Sequence, residues 1–409
     1  MNMEPAISGQ SKARGPTLAR GTSQNGVRLY NERLVLSLIR RHGRLPKAEM
    51  AKLTGLSAQT VSVIVRQLET DELLIKETPQ RGKVGQPLVP FSLNPDGAYS
   101  IGLKVGRHSG DLILLDLTGK IIRKIHQPYH FPSPAKFMAF VTGGLEKLLA
   151  DLSPGQRQRI AGLGIASPFE LWNWEEEIGG SHDAFEAWRD YDLVGEIEKL
   201  GEWPVHISND ATAACAAELL FGKGHRFHSY AYFFLGYFIG GGIVINGHIF
   251  PGHTGNAGAL GTLPFPPKNG RPQQLLHSAS LSVLENRMRA AGLDPAEFTP
   301  TPENWHDIGP VLDSWLAIAA ESLAYACTAA MSVIDFDAII IDGAMPAHVR
   351  AALVERTRAA LKYYDLRGVP AFSIAEGSIG SDARAMGGAS LSLFANYMTD
   401  RDVLFKEAL

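Results

Sequence analysis

The sequence contains very little cysteine. Cys215 and Cys327 are the only two in 409 residues, and each lies in an apolar, Ala-rich stretch. This predicts neither a disulfide framework nor a Cys-based zinc site, and a reducing cytoplasm is the expected setting. No run of 18 apolar residues exists, and the first 26 residues are polar and rich in Gly and Ser. We therefore expect no membrane span and no signal peptide, and a flexible arm over 1–26.

The sequence also has little net charge, −3, but this total hides an asymmetry. Residues 1–93 carry 14 Lys and Arg against 7 Asp and Glu, a net of +7, and the other 316 residues carry 25 against 35, a net of −10. Such asymmetry predicts a basic module with an anionic partner, attached to an acidic body with another task.

The basic part has the pattern of a helix-turn-helix. An apolar stripe predicts a first helix from Val27 that ends at Gly43, and a short helix over Lys47–Thr54 precedes a turn at Gly55. Ser57 is the expected N-cap of the next helix. Its inward-facing residues are Val61, Ile64, Val65 and Leu68. Two short strands then flank a Gly-rich hairpin, which completes a winged helix.

This arrangement predicts contacts with double-stranded DNA. Short polar side chains at a helix N-terminus suit a major groove, and a cationic hairpin suits phosphates or the minor groove. The proposed DNA-binding residues are Ser57, Gln59, Thr60, Ser62 and Arg66 in the helix, and Arg81 and Lys83 in the wing. Alone, each piece also fits two packed helices or a solvated turn. Their order, inside the only basic part of the chain, favours DNA binding.

The acidic body predicts an α/β fold with two related lobes. Three strand-like runs (AYSIGLKVG, GDLILLDLTG, KIIRKIHQPY) precede a helix and a further strand, IAGLGIAS. A Gly-rich hairpin, a long apolar helix, the strand AIIIDGA and another helix follow. Repetition of strands followed by a helix predicts a ligand cleft between the lobes.

Three motifs give this body a specific resemblance: GLGIASP at 162–168, ISNDATAACAAE at 207–218 and FIGGGIVINGHIFPGHTGNAGALG at 238–261. The chain resembles the ROK family of repressors and sugar kinases over nearly its whole length. This implies an actin-like or hexokinase-like (ribonuclease H-like) body behind the winged helix. The expected domains are 27–93 for the winged helix, 94–222 with helix 389–409 for lobe one, and 223–388 for lobe two. The resemblance also implies a homodimer or a dimer of dimers.

The chain departs from the family's kinases where ATP would bind. Lys104 stands at the position of a magnesium-holding Asp, and His108 at that of a Thr. Lys104 either faces solvent or helps to hold an anion. Tyr237 and Phe238 replace small residues of a phosphate loop, and Asp342 adds a carboxylate near the expected nucleotide. We therefore expect no ATP, no metal and no other cofactor, and no enzymatic activity.

The sugar side of the cleft is partly retained. The resemblance implies that Asn209 and Asp210 hold sugar hydroxyls, with Asp210 the relic of the kinase base; the alternative is that Asp210 simply caps a helix. The proposed ligand-binding set is Asn209, Asp210, Asn256, Gly258, Ser167 and His253. The family's Glu-x-Gly-His is replaced by Ala259-Leu260-Gly261-Thr262, and its cysteine cluster is absent, so its zinc is expected to be lost.

Three tryptophans follow the loop that borders the cleft in the family: Trp172, Trp174 and Trp188. They either stack on a sugar or pack in the core. The predicted function is a transcriptional regulator, a repressor, that senses a sugar or sugar derivative in a kinase-derived cleft. The alternatives are an active sugar kinase with an added DNA-binding domain, and a ligand-independent DNA-binding protein with a vestigial cleft.

Overall fold

A computed structural model describes residues 24–79, 88–129, 131, 133–169, 172, 182–268, 271–297, 305 and 308–399. The chain divides into two compact units. One comprises Met1–Thr70, Lys76–Ser92 and Tyr397–Leu409, and the other comprises Asp71–Ile75 and Leu93–Asn396. Within the described residues, no helix is both long and apolar enough to cross a membrane.

The smaller unit contains the three expected helices, Gln24–His42 (α1), Lys47–Thr54 (α2) and Ala58–Thr70 (α3). Helix α1 begins three residues before Val27, so residues 24–26 are helical and are not part of a flexible arm; an Arg28–Glu32 pair at 2.8 Å supports this first part of the helix. Gly43 and Gly55 end α1 and α2 with φ of 77° and 71°.

Helix α3 buries the apolar face that the sequence predicts. Val61, Ile64, Val65 and Leu68 are each at most 5% exposed. Ser57 caps the helix, because its Oγ accepts the N–H of Thr60 at 3.0 Å.

Short strands accompany these helices: Arg44–Pro46 (β1), Leu74–Lys76 (β2) and Pro90–Leu93 (β3). β1 pairs antiparallel with β3, and the Glu77 N–H donates to the Pro90 carbonyl. This places a strand on each side of the expected wing. The wing tip itself, with Arg81 and Lys83, lies outside the described residues.

The larger unit is built on two mixed five-stranded sheets. Strands of the first are Tyr99–Val105 (β4), Ser109–Asp116 (β5), Ile121–Pro128 (β6), Ile160–Ser167 (β7) and Val205–Asn209 (β8), and they lie in the order β6-β5-β4-β7-β8. Strands of the second are Tyr230–Leu235 (β9), Ile239–Ile245 (β10), His248–Ile249 (β11), Ala338–Gly343 (β14) and Ser373–Glu376 (β15), in the order β11-β10-β9-β14-β15. Two further strands, Pro264–Lys268 (β12) and Arg271–Gln274 (β13), pair with each other. This confirms the two-lobed α/β fold.

Helices cover the faces of both sheets. In chain order they are Pro134–Leu149 (α4), Pro154–Gln158 (α5), His182–Glu186 (α6), Leu193–Glu198 (α7), Asp210–Leu220 (α8), Leu276–Ala279 (α9), Leu281–Ala290 (α10), Gly309–Met331 (α11), Ala347–Leu361 (α12) and Ala383–Tyr397 (α13). A core of aromatic and aliphatic side chains, among them Trp315 and Phe233, fills the space between the second sheet and its helices. The apolar stretches of the sequence are therefore core elements.

Helix α13 packs very closely on the first sheet. It begins at Ala383, six residues before the start expected from the sequence, and Ser100 Oγ donates to the Ala389 carbonyl at 2.6 Å. A Cβ on Gly164 of β7 would lie 1.8 Å from the Gly388 oxygen. Glycine is therefore required at position 164 to let the backbones approach.

Candidate functional site: a DNA-reading helix and a ligand cavity

Few side chains on the outer face of α3 are both exposed and not hydrogen-bonded to a neighbouring side chain. Gln59, Val63 and Arg66 are exposed, and Val63 reaches 61%. The hydroxyls of Ser57 and Thr60 bond each other at 2.8 Å, and Ser62 is half-buried. Gln59 and Arg66 are thus best placed to contact DNA, with Val63 beside them. An exposed apolar side chain can contact the methyl group of thymine, a role that the sequence analysis did not assign to Val63.

A cavity of about 110 Å³ lies in the larger unit. The end of β8, the turn between β9 and β10, and the segment after β11 contribute to its walls. Four of the six proposed ligand-binding residues line it: Asn209, Asp210, Asn256 and Gly258. The other two do not. Ser167 Oγ turns towards the Pro168 carbonyl at 3.5 Å, and His253 is exposed on a bend.

Asn209 is the N-cap of α8. Its Oδ1 accepts the N–H groups of Ala211 at 3.0 Å and Thr212 at 3.2 Å. The amide nitrogen Nδ2 makes no hydrogen bond with the part of the chain that the structure describes. The cap fixes the orientation of this side chain and leaves an N–H donor at the cavity wall.

Asp210 is the first helical residue of α8, so the alternative in which it caps the helix is wrong: Asn209 takes that position. One oxygen, Oδ2, accepts from Arg384 Nη1 at 3.3 Å, and the two side chains are 13% and 12% exposed. This ion pair links α8 to α13. Sequence reasoning missed Arg384, because nothing in its local pattern indicates that the start of α13 lies beside α8.

Ala259 and Thr262 both line the cavity; Ala259 adds no polar side chain, and the proton of the Thr262 hydroxyl is already engaged. Thr262 Oγ1 donates to the Ala259 carbonyl at 2.8 Å, so the hydroxyl is engaged locally. Gly258 has a φ of +82°, and a Cβ there would lie 2.7 Å from Gly242 Cα. Close packing of two backbones therefore explains the glycine at position 258 without any ligand.

Lys104 lies at the position where the family's kinases carry a metal-holding Asp. It is 5% exposed, forms an ion pair with Asp111 and donates to Ser109 Oγ at 3.0 Å. The interpretation of Lys104 as a solvent-facing lysine is wrong, because the side chain is buried and the adjacent strand β5 supplies its counter-charge. Burial and the charge of Arg384 lower the pKa of Lys104 to about 8, although Asp111 opposes them.

Asp111 also contacts His126, whose Nδ1 lies 2.6 Å from Asp111 Oδ1. Burial opposes ionisation of Asp111, but the charge and hydrogen bond of Lys104 and the contact with His126 lower its pKa to about 2. An ammonium group in a closed ion pair cannot ligate magnesium. The residues here do not fit the Mg²⁺ of the kinases.

Two contacts link the turn after β4 to the turn between β9 and β10. The Arg107 guanidinium lies over the Phe238 ring, 4.4 Å from its centroid. The His108 and Tyr237 rings meet edge to face at 4.4 Å. In the kinases these two turns flank the ATP phosphates. Here aromatic and cationic side chains occupy the space between them, so the residues do not fit a nucleotide.

Asp342 does not present a free negative charge that would repel a nucleotide, so the interpretation of this residue from the sequence is wrong. It is fully buried and accepts from Arg350 Nη1 at 3.2 Å and from the Tyr232 hydroxyl at 3.0 Å. The backbone N–H groups of Gly343 and Gly380 donate to it as well. These four donors compensate its charge, and the carboxylate ties β14 to the segment before α13.

The aromatic residues near the cleft are mostly structural. Trp188 is 6% exposed and packs against Phe137 with ring centroids 5.6 Å apart, so it belongs to the core. Trp172 lies under Arg189 and does not line the cavity, and Trp174 is outside the described residues. Phe169, 45% exposed, does line the cavity and was missed.

The donor set of the family's zinc is missing as well. Cys215 and Cys327 are both free and buried, on helices α8 and α11. Where the structure describes the chain, no three His, Cys, Asp or Glu side chains lie close enough together to hold a metal ion. The residues present do not fit a structural zinc.

Two family profiles match the sequence. The ROK family profile covers residues 100–394, and a profile described as winged helix-turn-helix DNA-binding covers residues 28–75. The ROK match spans more than half of the chain and coincides with the two sheets.

Three relatives match more than half of the chain, and two of them have the name of a regulator. The xylose repressor of Bacillus spizizenii is 29% identical over 238 residues, which are 58% of this chain and 61% of that protein. The DNA-binding transcriptional dual regulator NagC of Escherichia coli is 23% identical over 316 residues, 76% of this chain and 75% of that protein. The uncharacterized protein y4fQ of Sinorhizobium fredii is 25% identical over 372 residues, 90% of this chain and 92% of that protein.

Solved structures share the fold. A ROK family transcriptional regulator, a homologue of the E. coli MLC protein, superposes with a TM-score of 0.66 over 93% of this chain and all of that chain, at 20% identity. A ROK family glucokinase from Streptomyces griseus, solved with glucose and AMPPNP, gives 0.58 over 72% of this chain and 99% of that chain, at 18% identity. The chain belongs to the ROK family, as a DNA-binding transcriptional regulator with an N-terminal winged helix-turn-helix.

Proposed function

We propose that the protein is a repressor whose body binds a sugar or sugar derivative and thereby changes the affinity for an operator, without phosphotransfer. The absence of phosphotransfer in this proposal rests on the buried Lys104–Asp111 ion pair, because this pair occupies the position at which a kinase needs a metal ligand. The Arg107–Phe238 contact supports it, since it fills the space between the two phosphate loops.

The retained polar residues support a ligand role for the cavity. Asn209 offers an amide donor and Asp210 a carboxylate oxygen, and Phe169 adds an apolar surface at the same cavity. Polar groups that fix hydroxyls beside an apolar surface suit a sugar ring. The name of one relative, the xylose repressor of Bacillus spizizenii, points to the same class of ligand.

The proposed regulation requires only that the ligand binds two conformations of the body with different affinities. If the ligand binds one conformation of the body more tightly than another, it shifts the population and with it the affinity for DNA. We propose that the protein acts as a homodimer, or a dimer of dimers, because two winged helices can then address a palindromic site. The expected compartment is the cytoplasm.

The test combines DNA binding with an assay for kinase activity. Fluorescence anisotropy on DNA upstream of the protein's own gene should give a salt-dependent affinity that changes at least fivefold with one member of a sugar panel. Coupled assays with Mg-ATP and the same panel should show no phosphorylation above background. Sugar phosphorylation that is lost in Asp210→Asn would instead establish the kinase. Operator affinity that no sugar changes would support a vestigial cleft.

A further inference from the structure

We propose that a second helix of the smaller unit contacts DNA: the N-terminal half of α1 binds the phosphate backbone that borders the major groove entered by α3, through Arg28 and Asn31. This contact is additional to the proposed function, because it concerns DNA binding alone and requires no ligand. A cavity of about 410 Å³, the α1–α3 groove, lies between the two helices. Gln24, Val27, Arg28 and Asn31 of α1 form one wall, and Gln59 and Val63 of α3 belong to the other.

The α1 wall is one continuous face of the helix. Its residues lie at positions 24, 27, 28 and 31, and residues three or four apart are neighbours on a helix surface. Among the described residues, no Asp or Glu lines the α1–α3 groove, and neither helix has an acidic residue in its first turn. A DNA phosphate therefore meets no carboxylate on this wall.

The α1–α3 groove opens on the face of α3 that is best placed to read bases. Gln59 and Val63 are exposed on that face and also line the groove. A DNA major groove about 12 Å wide admits one helix, which is about 10–12 Å across with its side chains. Helix α1 packs beside α3, and packed helices lie about 8–10 Å apart, so α1 cannot enter the major groove with it. The side chains on the α1 wall then lie over the phosphates at the edge of the major groove.

Asn31 has hydrogen-bonding capacity that the protein leaves unused. Its side chain is half-buried at the wall of the α1–α3 groove, and its amide makes no hydrogen bond with any residue that the structure describes. The amide carries two N–H donors, which suit phosphate oxygens. Because partial burial already restricts this side chain, binding a phosphate costs it little conformational entropy.

Arg28 is oriented by Glu32, one turn further along α1. Its Nε donates to Glu32 Oε1 at 2.8 Å, and the arginine side chain is 63% exposed whereas that of the glutamate is 13% exposed. This bond uses one of the five N–H donors of the guanidinium. A surface pair at this spacing is weak, so a DNA phosphate can become the stronger partner of Arg28.

The test uses the full-length protein and two duplexes, one from the DNA upstream of its own gene and one of unrelated sequence. Affinities are measured by fluorescence anisotropy at several salt concentrations. Arg28→Gln should weaken binding to both duplexes about tenfold for each bound chain and lower the slope of log affinity against log salt by about 1, because one cation is lost. Asn31→Ala should weaken both about fivefold and leave the slope unchanged, because an amide neutralises no phosphate.

Glu32→Gln separates a DNA contact from a role within the helix. If Arg28 binds phosphate, removal of the competing carboxylate should tighten binding to both duplexes about twofold. If the pair only stabilised α1, Arg28→Gln and Glu32→Gln would both weaken binding, because each removes the same pair.

Two variants in the same helix are matched controls, and neither should change affinity or salt slope. Asn25→Ala makes the same chemical change at an exposed residue that is turned about 100° away from Gln24 and does not line the α1–α3 groove. Arg41→Gln removes an exposed cation about 20 Å further along α1 than Arg28. Alanine is a better helix former than asparagine, so the thermal unfolding midpoint of Asn31→Ala should not fall.

A second measurement locates the contacts on the DNA. Single phosphates of the first duplex are replaced by neutral methylphosphonates. At a phosphate bound by Arg28 or Asn31, this replacement should weaken binding of the wild type but have little further effect on the corresponding variant, as in a double-mutant cycle. We expect at least one such phosphate for each residue at the edge of the major groove.

Three results would overturn the proposal: Glu32→Gln binds DNA as weakly as Arg28→Gln, Asn31→Ala changes which base pairs are preferred, or no phosphate is coupled to either residue. Absent coupling together with a changed oligomeric state in Asn31→Ala would instead assign the α1–α3 groove to a second copy of the chain. A sugar that alters operator affinity despite these failures would leave the proposed function intact. Phosphate coupling without any response to sugar would do the reverse.

Discussion

Lys104 in β4 and Asp111 in β5 form an ion pair in which neither side chain is more than 7% exposed. The two residues lie opposite each other in the antiparallel β4–β5 register. The pair therefore joins neighbouring strands of the first sheet at the position where related kinases need a metal ligand. A buried pair is costly to break, because the remaining charge loses its partner but stays away from water.

Replacing Lys104 alone should destabilise the protein strongly. In Lys104→Met the Asp111 carboxylate keeps only its contact with His126, and we expect a loss of about 3–5 kcal/mol in the free energy of unfolding. The double variant Lys104→Met/Asp111→Leu removes both charges and should lose less than the single variant. Urea unfolding of the wild type, of the single variants Lys104→Met and Asp111→Leu, and of the double variant gives the coupling free energy. A double variant as unstable as the sum of its two singles would show that the pair is not coupled.

The same pair should give stability a pH dependence. The pKa of Asp111 is about 2 in the folded protein and about 3.9 in an unfolded chain. Its contribution, about 2–3 kcal/mol, is therefore present above pH 4 and is lost as the pH falls through 2. The stability advantage of the wild type over Asp111→Asn should shrink accordingly between pH 6 and pH 2. Asp151→Asn, at a site 78% exposed, is the control and should show no comparable change.

Much of the fold follows from local patterns in the sequence. The inward face of α3 is as predicted, because a single amphipathic stripe in a short helix has one way to pack. Four strands of the first sheet, β4 to β7, fall inside their expected runs to within one residue, because turn residues bound these runs, whereas no strand was predicted at β8. In α3 the residue period determines which side chains are buried, whereas β4 is buried along its whole length.

The candidate site could be predicted only in part. The resemblance to the family identified Asn209 and Asp210. Their roles, however, depend on which of the two caps α8, and this is decided by a difference of one residue in the start of the helix. Arg384 is 174 residues from Asp210 in sequence, so no local pattern connects the two. Lys104 was placed wrongly for the same kind of reason: its partner Asp111 is on the neighbouring strand, and the pairing register was not known.

Helix α13 should tolerate no side chain at Gly387. A Cβ there would lie 1.9 Å from the carbonyl oxygen of Ala213 in α8, and backbone atoms cannot move aside cheaply. Gly387→Ala should therefore cost about 3 kcal/mol or more in unfolding free energy. Gly143→Ala in α4 is the matched control, because nothing lies within 4 Å of its added Cβ. Alanine is the better helix former, so we expect a gain of up to about 1 kcal/mol at Gly143. Similar effects at both positions would contradict the close packing of α13.

The last prediction separates base reading from phosphate binding in the N-terminal unit. Gln59 and Arg66 are exposed on α3, so Gln59→Ala and Arg66→Ala should change which operator base pairs are preferred, at about 1–3 kcal/mol each. Arg81→Ala and Lys83→Ala should weaken all sequences alike, and each should lower the slope of log affinity against log salt by about 1 if its cation neutralises one phosphate. Val63→Ala should weaken operators only where a thymine methyl lies against it.

These outcomes are measured by anisotropy on an operator and on single-base variants of it, at several salt concentrations. Lys362→Ala, which removes a surface cation at the C-terminal end of α12 in the ROK body, is the control and should change neither affinity nor salt slope. Ser57→Ala provides a second comparison. Loss of the N-cap should cost about 1 kcal/mol of stability and weaken all operators through the helix itself. If Gln59→Ala and Arg66→Ala weakened every sequence equally, α3 would not be the helix that reads the bases.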